Sequence, residues 1–243
     1  MSGSNTPPER DDGAPWRNFY GRRHGKTMRK GHVELLETRL ADLAPKRVGW
    51  EENPERQPLD LAALFPGKSR IWLEIGFGSG EHMISEAGVN PDVGILGCEA
   101  FINGVATLLA HIDRAGVENI RIHPGDARDL MDVLPAGTVE RVYLLYPDPW
   151  PKKRHWKRRF INPDNLNQLA RLMATGAELR IATDIPDYAR HTLEHLIQDD
   201  RFAWTAQKPA DWRAPWPGWP STRYESKALR EGRVPHYLIF QRL

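Results

Sequence analysis

Three glycines and a series of acids carry the first chemistry visible in this sequence. In LEIGFGSGE, Gly76, Gly78 and Gly80 follow an apolar run. Glycines there let the backbone turn sharply and let a ligand press against bare main chain. The spacing is G-x-G-x-G, not the G-x-G-x-x-G of dinucleotide sites, and the next residue is Glu81. A carboxylate at a helix start opposes a phosphate, and Glu74, just before the loop, adds a second negative charge. The loop therefore suits a cation better than a pyrophosphate. Glu99 ends the next apolar run, where an acid in such folds accepts two ribose hydroxyls. Asp126, in GDA, ends a third and could take an adenine amino group. Acids at successive strand ends favour S-adenosylmethionine as the ligand, although Glu99 and Asp126, each alone, would serve equally as helix N-caps.

The second chemistry lies in LLYPDPWPKKRHWKRRF, residues 144–160. Asp148 sits between Pro147 and Pro149, whose rings restrict the neighbouring dihedrals and keep the carboxylate aimed. Behind it, residues 152–159 hold six Lys or Arg and no acid, and residues 17–30 hold six more. Together they carry +12, leaving −10 for the rest of a chain of net charge +2. Such segregation focuses a positive field and points to a polyanionic partner. Trp156, an indole among cations, suits contact with RNA bases, whereas Trp150 reads as packing under its loop. The histidines form no metal-ligand pattern, and Cys98, the sole cysteine, excludes a disulfide and a cysteine zinc cluster.

These residues need a scaffold to bring them together. From residue 70 onward, near-continuous apolar strands alternate with helical patterns, which argues for a doubly wound parallel sheet with its working loops at the carboxyl ends of the strands. One helix is expected to stop at Gly88 and another, begun by Asn162 and Pro163, at Gly176. The Trp- and Pro-rich insertion 209–220 reads as a stiff flap closing on the domain. Three segments are expected: a disordered tail 1–16, a basic segment and lead-in 17–60, and a domain 61–243. Residues 17–30 have too few apolar positions to fold alone and are expected to order on binding RNA. No apolar run approaches the roughly 18 residues of a membrane span, and the N-terminus lacks an apolar signal region, so a cytoplasmic location is expected.

The order of EIGFGSGE, GCEAFINGV, GDA, YPDPWPKKRHWKRR, TD and STRYESKA resembles the bacterial tRNA (guanine-N7-)-methyltransferases, the TrmB family, over residues 17–243. The Pro-Asp-Pro-Trp element with its basic run is specific to that family; the glycine loop is not. The resemblance implies a Rossmann-like class I methyltransferase fold: a doubly wound, mostly parallel seven-stranded sheet with an antiparallel C-terminal strand. It implies methyl transfer from S-adenosylmethionine to N7 of guanosine at position 46 of the tRNA variable loop. Glu74, Glu99, Asp126 and Asp148 then fall on cofactor positions, beside the glycines. Lys152, Asp184, Thr222, Arg223, Tyr224 and Glu225 fall on substrate positions, and Arg154, His155, Trp156, Lys157, Arg158 and Arg159 on RNA contacts. Family members often carry Phe at Tyr146, Lys at Arg223 and Phe at Tyr224, exchanges that keep aromatic or basic character.

N7 of guanine has a lone pair and no proton, so its methylation needs no general base. It needs alignment and negative charge near the ring that becomes cationic, a role that Asp148 can fill. Asp184 and Glu225 could accept from the guanine N1–H and amino group, while Lys152 could hold a phosphate or the base carbonyl. Neutralising Arg158 and Arg159 together is expected to flatten the salt dependence of RNA binding by roughly 1.5 log units. Two other functions stay open to the residues alone. A nicotinamide-dependent oxidoreductase would share the strand-end acid, and a non-catalytic tRNA-binding module would share the basic runs.

Overall fold

The computed structural model describes residues 17–243, so the expected tail 1–16 lies outside the described residues. Seven strands form one sheet: β1 Arg70–Ile75, β2 Val93–Cys98, β3 Ile120–His123, β4 Val139–Leu145, β5 Met173–Thr183, β6 Phe202–Trp204 and β7 His236–Arg242. Their spatial order is β3-β2-β1-β4-β5-β7-β6. The first five run parallel, and β7 is antiparallel to both β5 and β6. This is the expected doubly wound, mostly parallel sheet with its antiparallel C-terminal strand. Between β1 and β4 the winding reverses direction, which opens a crevice beyond their carboxyl ends.

Apolar side chains on both faces hold the layers. One core packs Leu73, Leu96, Val142 and Ile181 against the helices α6, Ala127–Val133, α7, Pro163–Leu172, and α8, Pro186–Ile197. The other packs Ile95, Ile122 and Tyr143 against α4, Glu81–Val89, and α5, Ile102–Ala115. Short helices α1, Lys30–Thr38, α2, Leu40–Leu43, and α3, Leu61–Leu64, lead in, while α9, Ala210–Arg213, and α10, Arg223–Arg230, lie in the C-terminal region. Trp216 and Trp219 close the insertion onto Tyr143, His82 and Tyr237.

Two glycines behave differently from expectation. Helix α4 runs through Gly88 and stops at Asn90, whose side-chain amide donates to the Glu86 carbonyl at 2.9 Å. Helix α7 stops at Leu172, and Met173 already begins β5. Gly176 (φ 86°) sits instead in a bulge, where pairing jumps from Val139–Met173 to Arg141–Glu178. Strand pairing with β4 overrides the local helix-stop signal.

Residues 17–29 form no helix or strand and are tied to the domain by hydrogen bonds. Arg17 clasps Asp132 (Nη2–Oδ1 2.8 Å), and Arg128 donates to the Asn18 carbonyl at 3.0 Å. Asn103 accepts from the Gly25 amide at 2.7 Å and donates to the Lys26 carbonyl at 2.9 Å.

Candidate functional site

A cavity of about 470 Å³ opens at the carboxyl ends of β1 to β4, within the size range of small-molecule sites. Its floor is the glycine loop. Gly76, Gly78 and Gly80 all adopt left-handed backbone, with φ of 71°, 60° and 77°. Gly76 and Gly78 line the cavity, while Gly80 is the N-cap of α4. Gly104, in the first turn of α5, lies so close beneath the loop that a Cβ there would stand 2.0 Å from the Gly78 carbonyl oxygen.

Glu99 ties this loop to α5. One carboxylate oxygen accepts from the Gly78 amide at 2.8 Å, the other from the Phe101 amide at 2.9 Å. It is therefore not the N-cap of α5, a place held by Phe101. Burial pushes its carboxyl above the ordinary range, although the backbone donors pull it back. Each oxygen keeps lone-pair capacity for a further donor. Asp126 does cap a helix: it accepts from the Arg128 amide at 2.9 Å and from Arg128 Nε at 3.0 Å, at the start of α6. Burial alone would raise this carboxyl, but the Arg128 bonds outweigh it and hold it low. Asp126 still faces the cavity, so N-cap and ligand wall are the same residue.

Asp148 differs from both. Among the described residues nothing bonds or ion-pairs with it, and loss of hydration pushes its carboxyl upward. Its loop is bent at both ends: Tyr146 and Trp150 have φ of 50° and 42°. Left-handed backbone at bulky residues costs about 1–3 kcal/mol each and persists only where surroundings enforce it.

Glu74 corrects an expectation. Its carboxylate meets His82 Nδ1 at 2.6 Å, both groups are buried, and the residue does not line the cavity. Successive strand residues face opposite sides of a sheet, and it is Ile75 that borders the cavity. Glu74 thus supports α4 through His82.

The substrate positions gather at one edge. Thr222 N-caps α10 by accepting from the Glu225 amide at 3.2 Å. Tyr224 borders the cavity, with its ring nearly parallel to that of Tyr146 at 6.3 Å. Arg223 lies over the Tyr224 ring and 3.8 Å from Glu81. Glu225 is buried and already engaged by Trp219 Nε1 at 2.9 Å and by the Tyr237 hydroxyl. Asp184, also buried, is paired with Arg233.

The basic run divides. Lys152, Lys153, Arg154 and Lys157 are exposed, and His155 is half-buried. Trp156 is half-buried against His191, with the Arg159 guanidinium 4.7 Å from its ring centre, so it is no free stacking platform. Arg158 lies 4.3 Å from the Tyr20 ring centre and 5.0 Å from that of Trp150. Arg159 is only 1% exposed. The paired neutralisation of Arg158 and Arg159 is therefore not the probe of phosphate contact that the sequence indicates. The run forms a tight turn, Lys153–Arg158, and a turn of that pitch cannot present every side chain to one surface.

Sequence reasoning missed Gly104, Tyr20 and Arg128. Gly104 had a signal, since glycine inside an amphipathic helix pattern marks close backbone approach. Tyr20 had none, because its partner Arg158 is distant in sequence, and Arg128, although it pairs with Asp126 two residues before it, gave no signal of its reach to Asn18.

Residues 68–238 match a family model described as a putative methyltransferase. The chain is 59% identical over 230 residues to a tRNA (guanine-N(7)-)-methyltransferase of Ruegeria sp. (strain TM1040), covering 95% of this chain and 89% of the relative. A protein of the same description from Ruegeria pomeroyi is 58% identical, with 99% of each chain covered. Among solved structures, the 16S rRNA methyltransferase KamB superposes with a TM-score of 0.55 at 14% identity, over 75% of this chain and 92% of its own. That likeness concerns the fold alone.

Proposed function

We propose, since the chain belongs to the tRNA (guanine-N(7)-)-methyltransferase family, that it moves a methyl group from S-adenosylmethionine to N7 of a guanosine in tRNA, at position 46 of the variable loop. The observation that carries this reading is Asp148: a carboxylate without a partner among the described residues, following β4, in a cavity walled by Glu99 and Asp126. Glu99 and Asp148 beside a glycine cradle fit a sulfonium nucleoside, while basic residues of the same cavity wall, Arg22, Lys157 and Arg158, lie toward the side where RNA would approach. Glu99 would hold the ribose hydroxyls, Asp126 the adenine end, and the Gly76–Gly78 backbone the space between. When bound, the cofactor supplies an electrophilic methyl group on a positively charged sulfur.

The chain's own work is positional and electrostatic. Guanine N7 attacks without losing a proton, so no side chain here acts as a base. Asp148 keeps negative charge beside the ring as it becomes cationic, with no counter-ion among the described residues to neutralise it. Tyr224 and Tyr146 offer aromatic faces to the base, and exposed Lys152, Lys153, Arg154 and Lys157 meet the phosphates. Glu225 and Asp184 reach guanine only by exchanging the partners they now hold. Among the described residues no helix is long and apolar enough to cross a membrane, and a cytoplasmic location accords with a tRNA substrate. Incubating tRNA with the enzyme and isotope-labelled S-adenosylmethionine, then reading the nucleosides by mass spectrometry, tests the whole. Label on N7 of guanine in the variable loop is expected; label elsewhere, or none, overturns the reading.

A further inference from the structure

The last residue of the basic run, Arg159, belongs to the sequence pattern of phosphate contacts but not to the surface that makes them. Its side chain is fully enclosed. Nε donates to the Pro149 carbonyl at 2.9 Å, and Nη2 binds the Asp187 carboxylate in the first turn of α8. The guanidinium also faces the Trp156 and Tyr188 rings, at 4.7 and 5.6 Å from their centres. Phosphate oxygens cannot reach a group so covered.

The bond to Pro149 falls at a place with few alternatives. Pro147 and Pro149 have no backbone N–H, so the loop cannot brace itself with donors at those positions. Tyr146 makes the last ladder bond, donating to the Ala182 carbonyl at 2.7 Å. Beyond it, among the described residues, the Arg159 contact is the one hydrogen bond to the backbone of residues 147–150. The same stretch lies between the left-handed Tyr146 and Trp150, a geometry that needs outside support.

Stability does not explain this arrangement. Burying a cation is costly even when paired, and among the described residues the buried Arg159 Nη1 has no acceptor, which adds a further penalty. What the arrangement supplies is position, a rigid link from α8 through the guanidinium to the peptide next to Asp148.

We infer that Arg159 is a positioning residue for methyl transfer, holding the Pro-Asp-Pro loop and thereby the Asp148 carboxylate, and that it is not an RNA contact. The inference rests on the reading of Asp148 given above. Arg159→Lys keeps the charge but cannot span Pro149 and Asp187 with one planar fork. Displacing a reacting geometry by about 1 Å costs up to about 100-fold, so kcat per cofactor-binding site should fall about 10- to 100-fold. The cofactor stoichiometry by calorimetry and the KM for tRNA should stay within about twofold of wild type. A merely structural role would reduce the number of competent sites and leave kcat per site unchanged. Asp187→Asn should lower kcat in the same direction by less, and adding it to Arg159→Lys should cost little more, as expected for one coupled unit.

Arg159→Gln, which removes the charge, should leave the log–log salt slope of tRNA binding unchanged. Lys153→Ala with Arg154→Ala should flatten that slope by about 1.5 units. Wild-type kcat per site in Arg159→Lys, or a slope flattened by about 0.7–0.9 units in Arg159→Gln, overturns the inference. Asp148→Ala, measured alongside, separates the two failures. If it turns over normally, the reading of Asp148 falls and Arg159 has nothing to position. If it is slow while Arg159→Lys is fast, only the role of Arg159 falls.

Discussion

On the β1–β4 side the acids border the open cavity; on the β5–β7 side they face the protein. Glu99 and Asp126 are anchored by backbone donors or Arg128 and still border the cavity, and Asp148 has no partner among the described residues. Asp184 and Glu225, by contrast, are buried with Arg233, Trp219 and Tyr237 as partners. On the proposed assignment, the half that would hold the cofactor is thus open to the cavity, while the half that would read guanine is closed on itself. On that assignment the cofactor would bind without rearrangement and the RNA would require one, with the ordering cost falling on the second step.

The largest test of that contrast is Asp148→Ala. Its turnover should fall about 10²–10³-fold, the usual loss when one charge-stabilising group is removed, with tRNA affinity changed less than about threefold. A normal turnover number would take Asp148 out of the reaction. Next comes Glu225→Ala, which leaves the Trp219 N–H and the Tyr237 hydroxyl without their acceptor. Thermal or denaturant unfolding should show a loss of about 2 kcal/mol, with cofactor affinity nearly unchanged. Unchanged stability with a raised KM for tRNA would mean that Glu225 already faces the substrate. Gly104→Ala attacks the preformed half: its methyl must displace the Gly78 carbonyl. Cofactor binding should weaken about tenfold and stability fall by about 1–3 kcal/mol; calorimetry showing native affinity would mean the loop is slack.

The smallest effect is a proton count. Burial raises Glu99 and partial loss of hydration raises the exposed Asp148, and a bound cation favours their ionised forms. Cofactor binding should therefore release a fraction of a proton near pH 5 and almost none near pH 8, carboxylates starting from about 4 when unperturbed. Affinity should weaken as pH falls through the raised values. In the free chain the sign is opposite: the native state binds these protons more tightly than the unfolded one, so these two groups favour the fold as pH falls through their native pKa values. Calorimetry in two buffers of different ionisation enthalpy reads the release. Its absence near pH 5 would place both acids away from the cation.

Much of this was legible in residue order. The apolar runs mark the strands, the glycine loop marks its turn, and Asn162 sits as an N-cap, accepting from the amide three residues on. Each depends on backbone sterics or hydrogen bonds within a few residues, so local sequence suffices. The helix stop at Gly176 shows the limit, since pairing with β4 converts that stretch to strand.

The amino-acid order alone determined the alternation of strands and helices, the acids at strand ends and the proline-bounded Asp148, because these follow from local conformation and side-chain type. Only the tertiary structure decided which charges remain free. Arg159 is claimed by Asp187, Asp184 by Arg233 49 residues away, Glu225 by Tyr237 and Glu74 by His82. Whether a charge faces water, a ligand or a counter-charge is set by what folding packs against it, and the chain brings those groups together only once the sheet is closed.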